Sequence, residues 1–263
     1  MTRRIHVIGI GAGDPDHVTA QAVTALNATQ VFFAMDKGSR MRGGQDAEAK
    51  DDLLALRRHI CQRFIRTPGY RFVELADPPR VREAADGPAY RQAVADWHAA
   101  RARVWAEAIE TELGPDGVGA FLAWGDPSLY DSTLRILDAV ARHVDIEYDV
   151  IPGITAIQAL TARHRIPLND VGEPVLITTG RQLRDRGLTG SAVVMLDADC
   201  SFLTCPLDTR IWWGAYLGTP GELLMSGTVG EVGSQIAAMR AAARARHGWI
   251  MDTYLLRPAA LSR

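Results

Sequence analysis

Residues Ile5 to Val23 read "IHVIGIGAGDPDHVTAQAV". A short apolar strand runs into glycines at 9, 11 and 13 and then into an alanine-rich helical stretch. A strand, a glycine turn and a helix in that order form a βα unit. Such a unit buries both faces only inside a layered α/β fold. The device recurs twice. "AWGDPSLY" (Ala123 to Tyr130) brings a strand to Gly125, then Asp126 and Pro127. "IPGITA" (Ile151 to Ala156) brings a third strand to Gly153 and the hydroxyl of Thr155. Gly125 lets a ligand approach the backbone closely, and Gly153 is expected to hold a positive φ. Asp14-Pro15 and Asp126-Pro127 also read as capped helix starts.

The rest of the chain follows this alternation at first and then departs from it. "RIHVIGI", "QVFFAM", "YRFVELADPP", "VGAFLAWGDP" and "DIEYDVIPGI" are expected strands. Helices are expected in "HVTAQAVTALNA", in "DLLALRRHICQRFI" (apolar at Leu53, Leu56, Ile60 and Phe64), in "AYRQAVADWHAARARVWAEAIETEL" and in "STLRILDAVARH". This predicts an N-terminal α/β domain over residues 1–150 with a mainly parallel sheet. Beyond it, "PVLITTG", "SAVVMLDA", "TRIWWGAYLG" and "GWIMDTYLL" read as strands, with helices only in "ITAIQALTARH" and "GEVGSQIAAMRAAARARH". A C-terminal α/β domain over 151–263 with a mixed sheet is expected. The active site is expected in the cleft between the two domains.

The bulk properties narrow the chemistry. The formal net charge is −2 in 263 residues, which argues against nucleic acid as a partner. Cys61, Cys200 and Cys205 are odd in number and lack CxxC spacing, so neither a disulfide framework nor a zinc site is expected, and no other metal spacing appears. The first residues are too glycine-rich for a signal sequence, and no apolar run is long enough to span a membrane. A cytoplasmic protein with no membrane partner is expected.

A nucleotide is the obvious ligand to test against the first turn. The dinucleotide pattern GxGxxG is met by Gly9 and Gly11, but Asp14 stands at the third glycine position. A pyrophosphate at the helix start would meet the negative charge of Asp14. Asp36, about 20 residues beyond the turn, is where a ribose-binding acid would stand. An NAD-dependent oxidoreductase therefore remains one reading, beside a purely structural turn and a ligand without phosphates.

The three turns together resemble the tetrapyrrole methylase family, a class of S-adenosylmethionine-dependent methyltransferases, over essentially the whole chain. Gly9 to Pro15 with Thr19 is similar to the pattern GxGPGDPxLLT, with Ala12 in place of the proline and Val18 in place of a leucine. Gly125, Asp126, Pro127 and Tyr130 resemble the GDP turn, and Pro152 to Ala156 the PG-plus-small turn. The resemblance implies S-adenosyl-L-methionine as the methyl donor. It implies cofactor contacts at Trp124, Gly125, Asp126, Tyr130, Thr155 and Ala156, and in the second domain at Met195, Leu217 and Gly218. Met195 reads equally as core. The first turn, through Gly11 and Ala12, is expected to face the macrocycle more than the cofactor.

The wording between the motifs, above all "VFFAMDKG" and "WIMDTYLLRP", resembles the family branch that acts on precorrin-5. The reaction implied is methylation at ring carbon 1 with loss of an acetyl group as acetate, in cobalamin biosynthesis, by a homodimer. Another tetrapyrrole methyltransferase of the corrin or siroheme pathways is the nearer alternative. Precorrin-5 is a polycarboxylate, and residues 37–71 carry nine basic against four acidic side chains. That excess reads either as a solvated face or as a carboxylate-binding surface. In the second case Lys37, Arg40 and Arg42 are the expected substrate partners. Acetyl removal calls for a general base. Asp14 and Asp36 are candidates because both follow strands at the carboxyl edge of the sheet, where open α/β sheets place ligands.

Overall fold

The computed structural model describes residues 2–36, 45–79 and 87–259. Lys37, Arg40 and Arg42 lie outside these residues. The chain divides into two compact units. One comprises Met1–Gly11 with Pro15–Ile154, the other Ala12–Asp14 with Thr155–Arg263.

The first unit alternates strands and helices: β1 (Arg3–Gly9), α1 (Ala20–Ala28), β2 (Val31–Asp36), α2 (Gln45–Phe64), β3 (Arg71–Ala76), α3 (Gly87–Glu112), β4 (Val118–Ala123), α4 (Thr133–Val140) and β5 (Ile146–Ile151). The five strands make one parallel sheet in the order β3-β2-β4-β1-β5. Both faces of the inner strands are covered, so β2 and β4 read as nearly unbroken apolar runs, whereas the edge strands β3 and β5 carry charged residues. Ile5, Val7, Val31, Phe33 and Phe121 point to one side and pack against Trp105 and Ile109 of α3 and Ile136 and Leu137 of α4. Trp105 stacks on Phe121 with ring centroids 4.1 Å apart. Ile8, Phe32, Ala120 and Leu122 point to the other side, against Ala22 and Leu26 of α1 and Ile60 and Cys61 of α2.

This order has a consequence at the carboxyl edge. β1 and β4 are neighbours, in register from Arg4 with Val118 to Gly9 with Ala123. The chain leaves β1 for α1 on one face and leaves β4 for α4 on the other. Adjacent strand ends thus diverge to opposite faces, which opens the crevice that α/β sheets use for ligands. One local expectation is corrected here. The α-helix after the first turn is not capped by Asp14. Pro15–His17 form a single 3₁₀ turn, and Thr19 caps α1, its hydroxyl accepting the Ala22 N–H at 3.1 Å.

The second unit contains α5 (Ala156–His164), β6 (Leu176–Thr179), α6 (Gly180–Arg186), β7 (Ala192–Met195), β8 (Arg210–Ala215), β9 (Leu223–Thr228), α7 (Val229–His247) and β10 (Asp252–Arg257). Its sheet runs β6-β7-β10-β8-β9; β6 and β7 are parallel and the other pairs antiparallel. Trp213, Tyr254, Ile211 and Leu256 form the centre of its core with Phe202, Leu183 of α6 and Ile236 of α7. The sequence pattern misses two elements, α6 and β9. β9 is an edge strand, "LLMSGT", with no buried residue to mark a face. α6 is only seven residues long and starts directly from the end of β6, capped by Thr179.

Candidate functional site

In the first unit, the strand ends of β1, β4 and β5 are locked together through glycine backbone. Gly11 and Gly125 bond each other in both directions, Gly11 N–H to the Gly125 carbonyl at 3.3 Å and Gly125 N–H to the Gly11 carbonyl at 2.8 Å. Their φ values of +82° and +68° are in the left-handed region, which explains both glycines. Gly153 has no positive φ, contrary to expectation. Its glycine is required by proximity: a Cβ there would lie 2.0 Å from the Gly125 carbonyl oxygen and 2.8 Å from Gly9 Cα.

Asp126 completes the lock. Its carboxylate accepts the Gly153 N–H at 2.8 Å and the Ser128 N–H at 2.8 Å, and also the Ser128 hydroxyl. Partial burial pushes this carboxyl up, but the bonds from the Ser128 hydroxyl, Gly153 N–H and Ser128 N–H outweigh it and hold it below the usual carboxylate range. Asp126 is therefore not a helix cap. α4 begins only at Thr133, after Ser132, which makes no side-chain cap bond. Trp124 beside it is half-buried. Tyr130, at the far end of the turn, is 46% exposed and held at φ 52°.

The electrostatic result is specific. A phosphate cradle needs backbone N–H groups that point at the ligand. Here the N–H groups of Gly11, Gly125 and Gly153 are each spent on a protein acceptor. The turn that closes β4 instead presents an ionised carboxylate. This suits a cationic ligand such as a sulfonium or ammonium and works against a pyrophosphate.

The second unit contains the tip of the first turn. A Cβ on Gly13 would fall 2.4 Å from the Leu217 carbonyl oxygen, and one on Gly218 would fall 2.5 Å from Asp14 N. Asp14, Leu217 and Gly218, far apart in sequence, are thus packed together. Gly218, at φ +77°, donates its N–H to Glu222 at 2.8 Å, and Glu222 also pairs with Arg163 at 2.6 Å. Thr155 caps α5, accepting the Ile157 N–H at 3.1 Å, while the Gln158 side-chain oxygen accepts the Thr155 N–H at 3.1 Å. Ala156 is the first residue of that helix.

Two residues of this unit hold strained backbone directly after strands. Leu196 follows β7 at φ 52° and is 65% exposed, and Tyr216 follows β8 at φ 50°. Large side chains adopt this conformation only when their surroundings impose it. For Leu196 the surroundings are a buried polar network. The Asp197 carboxylate accepts the Tyr254 hydroxyl (2.7 Å), the Ser201 hydroxyl (2.7 Å) and the Ser201 N–H (2.6 Å). Arg240 donates to the carbonyl of Asp197 and to that of Ala198 at 3.1 Å, and pairs with Asp252 at 3.0 Å. Trp213 Nε1 donates to the same Asp252 at 2.9 Å. Met195, the last residue of β7, is half-buried next to the strained position.

A model of the tetrapyrrole (corrin/porphyrin) methylases matches residues 4–233. The chain belongs to that family. The methylase is 48% identical to the precorrin-6A synthase (deacetylating) of Sinorhizobium sp over 263 residues, 98% of this chain and 96% of the relative. Among solved structures it is similar to a cobalamin synthesis related protein (CobF) from Corynebacterium diphtheriae, at 42% identity and TM-score 0.81 over 98% of this chain and 99% of the other. The uroporphyrin-III C-methyl transferase of Thermus thermophilus, solved with S-adenyl homocysteine, shares the fold at 18% identity and TM-score 0.55, over 97% of each chain.

Among the residues named from the sequence of this methylase, Gly11, Trp124, Gly125, Asp126 and Tyr130 stand at the carboxyl edge of the parallel sheet. Ala12 and Asp14 belong to the second unit, where Asp14 lies beside Gly218. Asp36 closes β2 opposite Ala76 of β3. The strain at Leu196 and Tyr216 had no signal in the sequence, because neither is a glycine or asparagine. Ser128 was equally invisible, a serine in a polar turn.

Proposed function

We propose that this methyltransferase methylates precorrin-5 at ring carbon 1 from S-adenosyl-L-methionine and releases the acetyl group as acetate, forming precorrin-6A. The observation that carries the reading is the 48% identity, over nearly the full length of both chains, with a deacetylating precorrin-6A synthase. When bound, S-adenosylmethionine supplies a methyl group already activated on a sulfonium. Trp124, Gly125, Asp126, Tyr130, Thr155, Ala156, Met195, Leu217 and Gly218 are assigned to hold it. The ionised Asp126 and the engagement of the Gly11, Gly125 and Gly153 N–H groups with protein acceptors fit such a cation.

The work left to the protein is alignment and the exclusion of water, and orientation alone supplies roughly 7–11 kcal/mol in well-ordered reactions. Gly11 and Ala12 are assigned to the macrocycle, with Lys37, Arg40 and Arg42 on its carboxylates. Asp14 and Asp36 are the carboxylate candidates for proton transfer. A cytoplasmic homodimer belongs to the same reading; no helix among the described residues is long and apolar enough to cross a membrane.

The test is incubation of the purified protein with methyl-labelled S-adenosylmethionine and precorrin-5, followed by mass spectrometry of the corrin product and of acetate. Label transfer with equimolar acetate is expected. Label transfer without acetate would refute the deacetylating assignment, and no transfer would refute the substrate.

A further inference from the structure

Seven histidines occur in the chain. Six lie inside elements or at helix ends. His6 is within β1, His59 within α2 and His98 within α3, His143 follows α4, and His164 and His247 close α5 and α7. His17 alone stands in a connection that leaves the carboxyl end of a strand, the loop from β1 to α1. Its Cβ packs directly on Gly11, where a Cβ would lie 2.6 Å away. Gly11 is in turn fixed by its two-way bond to Gly125. The base of this side chain is therefore set against the backbone pair that joins the first and second turns at the sheet's carboxyl edge.

Its Nδ1 is buried and has no hydrogen-bond partner among the described residues. The Nδ1 of His6 shares that state, but His6 lies inside β1 with Asp149 at 3.7 Å, away from the strand ends. A buried polar atom left without a partner costs free energy, and proteins retain few of them, so each one asks for a reason. The neighbour Asp16 does not supply a partner; it pairs with Arg63. A partnerless imidazole nitrogen is a structural loss, unless the ring meets a polar group of the substrate.

We propose that His17 is the acid–base residue of acetyl removal, an inference that rests on the deacetylating reading above. In the forward step an imidazole nitrogen of His17 takes a proton from water. The water oxygen forms a bond to the acyl carbon. The bond between the acyl carbon and the ring carbon breaks, and its electron pair stays on the ring carbon, spread into the conjugated macrocycle. Acetic acid leaves and ionises to acetate, and the electron pair is consumed by the methylation. The proton on His17 returns to solvent. Imidazole suits this work because one ring nitrogen can accept a proton while the other donates one.

The experiment compares wild type, His17→Leu and His17→Gln with precorrin-5 and S-adenosylmethionine. Acetate is quantified, and cofactor affinity is measured separately by calorimetry. Acetate release is expected to fall by about 10²–10⁴-fold in both variants. Cofactor affinity should stay within threefold, added imidazole should restore part of the rate, and the rising limb of the wild-type pH–rate profile should disappear. Acetate release within threefold of wild type in His17→Leu would overturn the proposal. Equal loss of rate and of cofactor binding in both variants, with no rescue by imidazole, would overturn it as well, by showing a structural role. Failure of the wild-type protein itself to release acetate would overturn the parent reading instead, and is read from the same assay.

Discussion

Gly153→Ala is expected to force apart the ends of β1, β4 and β5. The new Cβ would stand 2.0 Å from the Gly125 carbonyl oxygen and 2.8 Å from the carbonyl carbon and Cα of Gly9. Comfortable carbon contacts lie near ~3.5 Å, so the backbone must yield by roughly 1 Å or more. No side chain can move aside, because the nearest obstacles are all main chain of Gly9 and Gly125. Overpacking of this kind costs about 1–3 kcal/mol. The shift also draws the Gly153 N–H away from the ionised Asp126, 2.8 Å distant, and a hydrogen bond to a charged group contributes about 1.5–3 kcal/mol.

The combined loss of about 2.5–6 kcal/mol corresponds to a fall in melting temperature on the order of 10 °C for a chain of this size. Calorimetry of the purified protein measures it. Gly114→Ala is the matched control: a Cβ there meets nothing within 4 Å and the φ is outside the left-handed region. Its stability should change by less than about 1 kcal/mol, with any shift upward. If Gly153→Ala melted within 1 °C of wild type, the account of the three strand ends as a backbone lock would be wrong.

Arg240→Met should destabilise the protein by about 3–5 kcal/mol in urea titrations, because it leaves Asp252 buried without its cation; the side chains are only 8% and 4% exposed. Arg240→Met combined with Asp252→Leu should recover much of that loss, and a double variant no better than the single one would refute the pairing argument. The Asp126 carboxyl is held below its ordinary value, so its contribution to stability is fully present above about pH 4 and is lost as pH falls through the lowered value. The stability gap between wild type and Asp126→Asn should therefore narrow between neutral pH and pH 3, and a gap that stays constant would show that Asp126 is not held ionised by these bonds.

Much of the first unit was legible from the sequence because its central strands β2 and β4 are buried on both faces and read as short apolar runs. β3 and β5 are mostly part-buried or exposed and carry charged residues, but their apolar positions and the turns that bound them still mark them as strands. The second unit was less legible. β9 is an edge strand with polar and glycine residues at its end, and α6 starts without a break from β6. Local pattern reasoning also treated Asp14 and Asp126 as helix caps. Both sit before proline in a turn, which is what a cap looks like in one dimension. The structure assigns α1 to Thr19 instead and uses Asp126 to tie the second turn to the third.

The sequence alone determined the alternation of strands and helices, the three glycine turns and the resemblance they carry. These depend on neighbours a few residues apart, where side-chain periodicity and backbone freedom act. Tertiary structure decided what the turns are for. The strand order β3-β2-β4-β1-β5 brings Gly9, Gly125 and Gly153 into backbone contact, and the Gly11–Gly125 pair and the Asp126 carboxylate then consume the N–H groups that a phosphate would need. The unpartnered ring nitrogen of His17 is of the same kind. Whether a buried polar atom is satisfied is a property of everything packed around it, and no stretch of sequence contains that information.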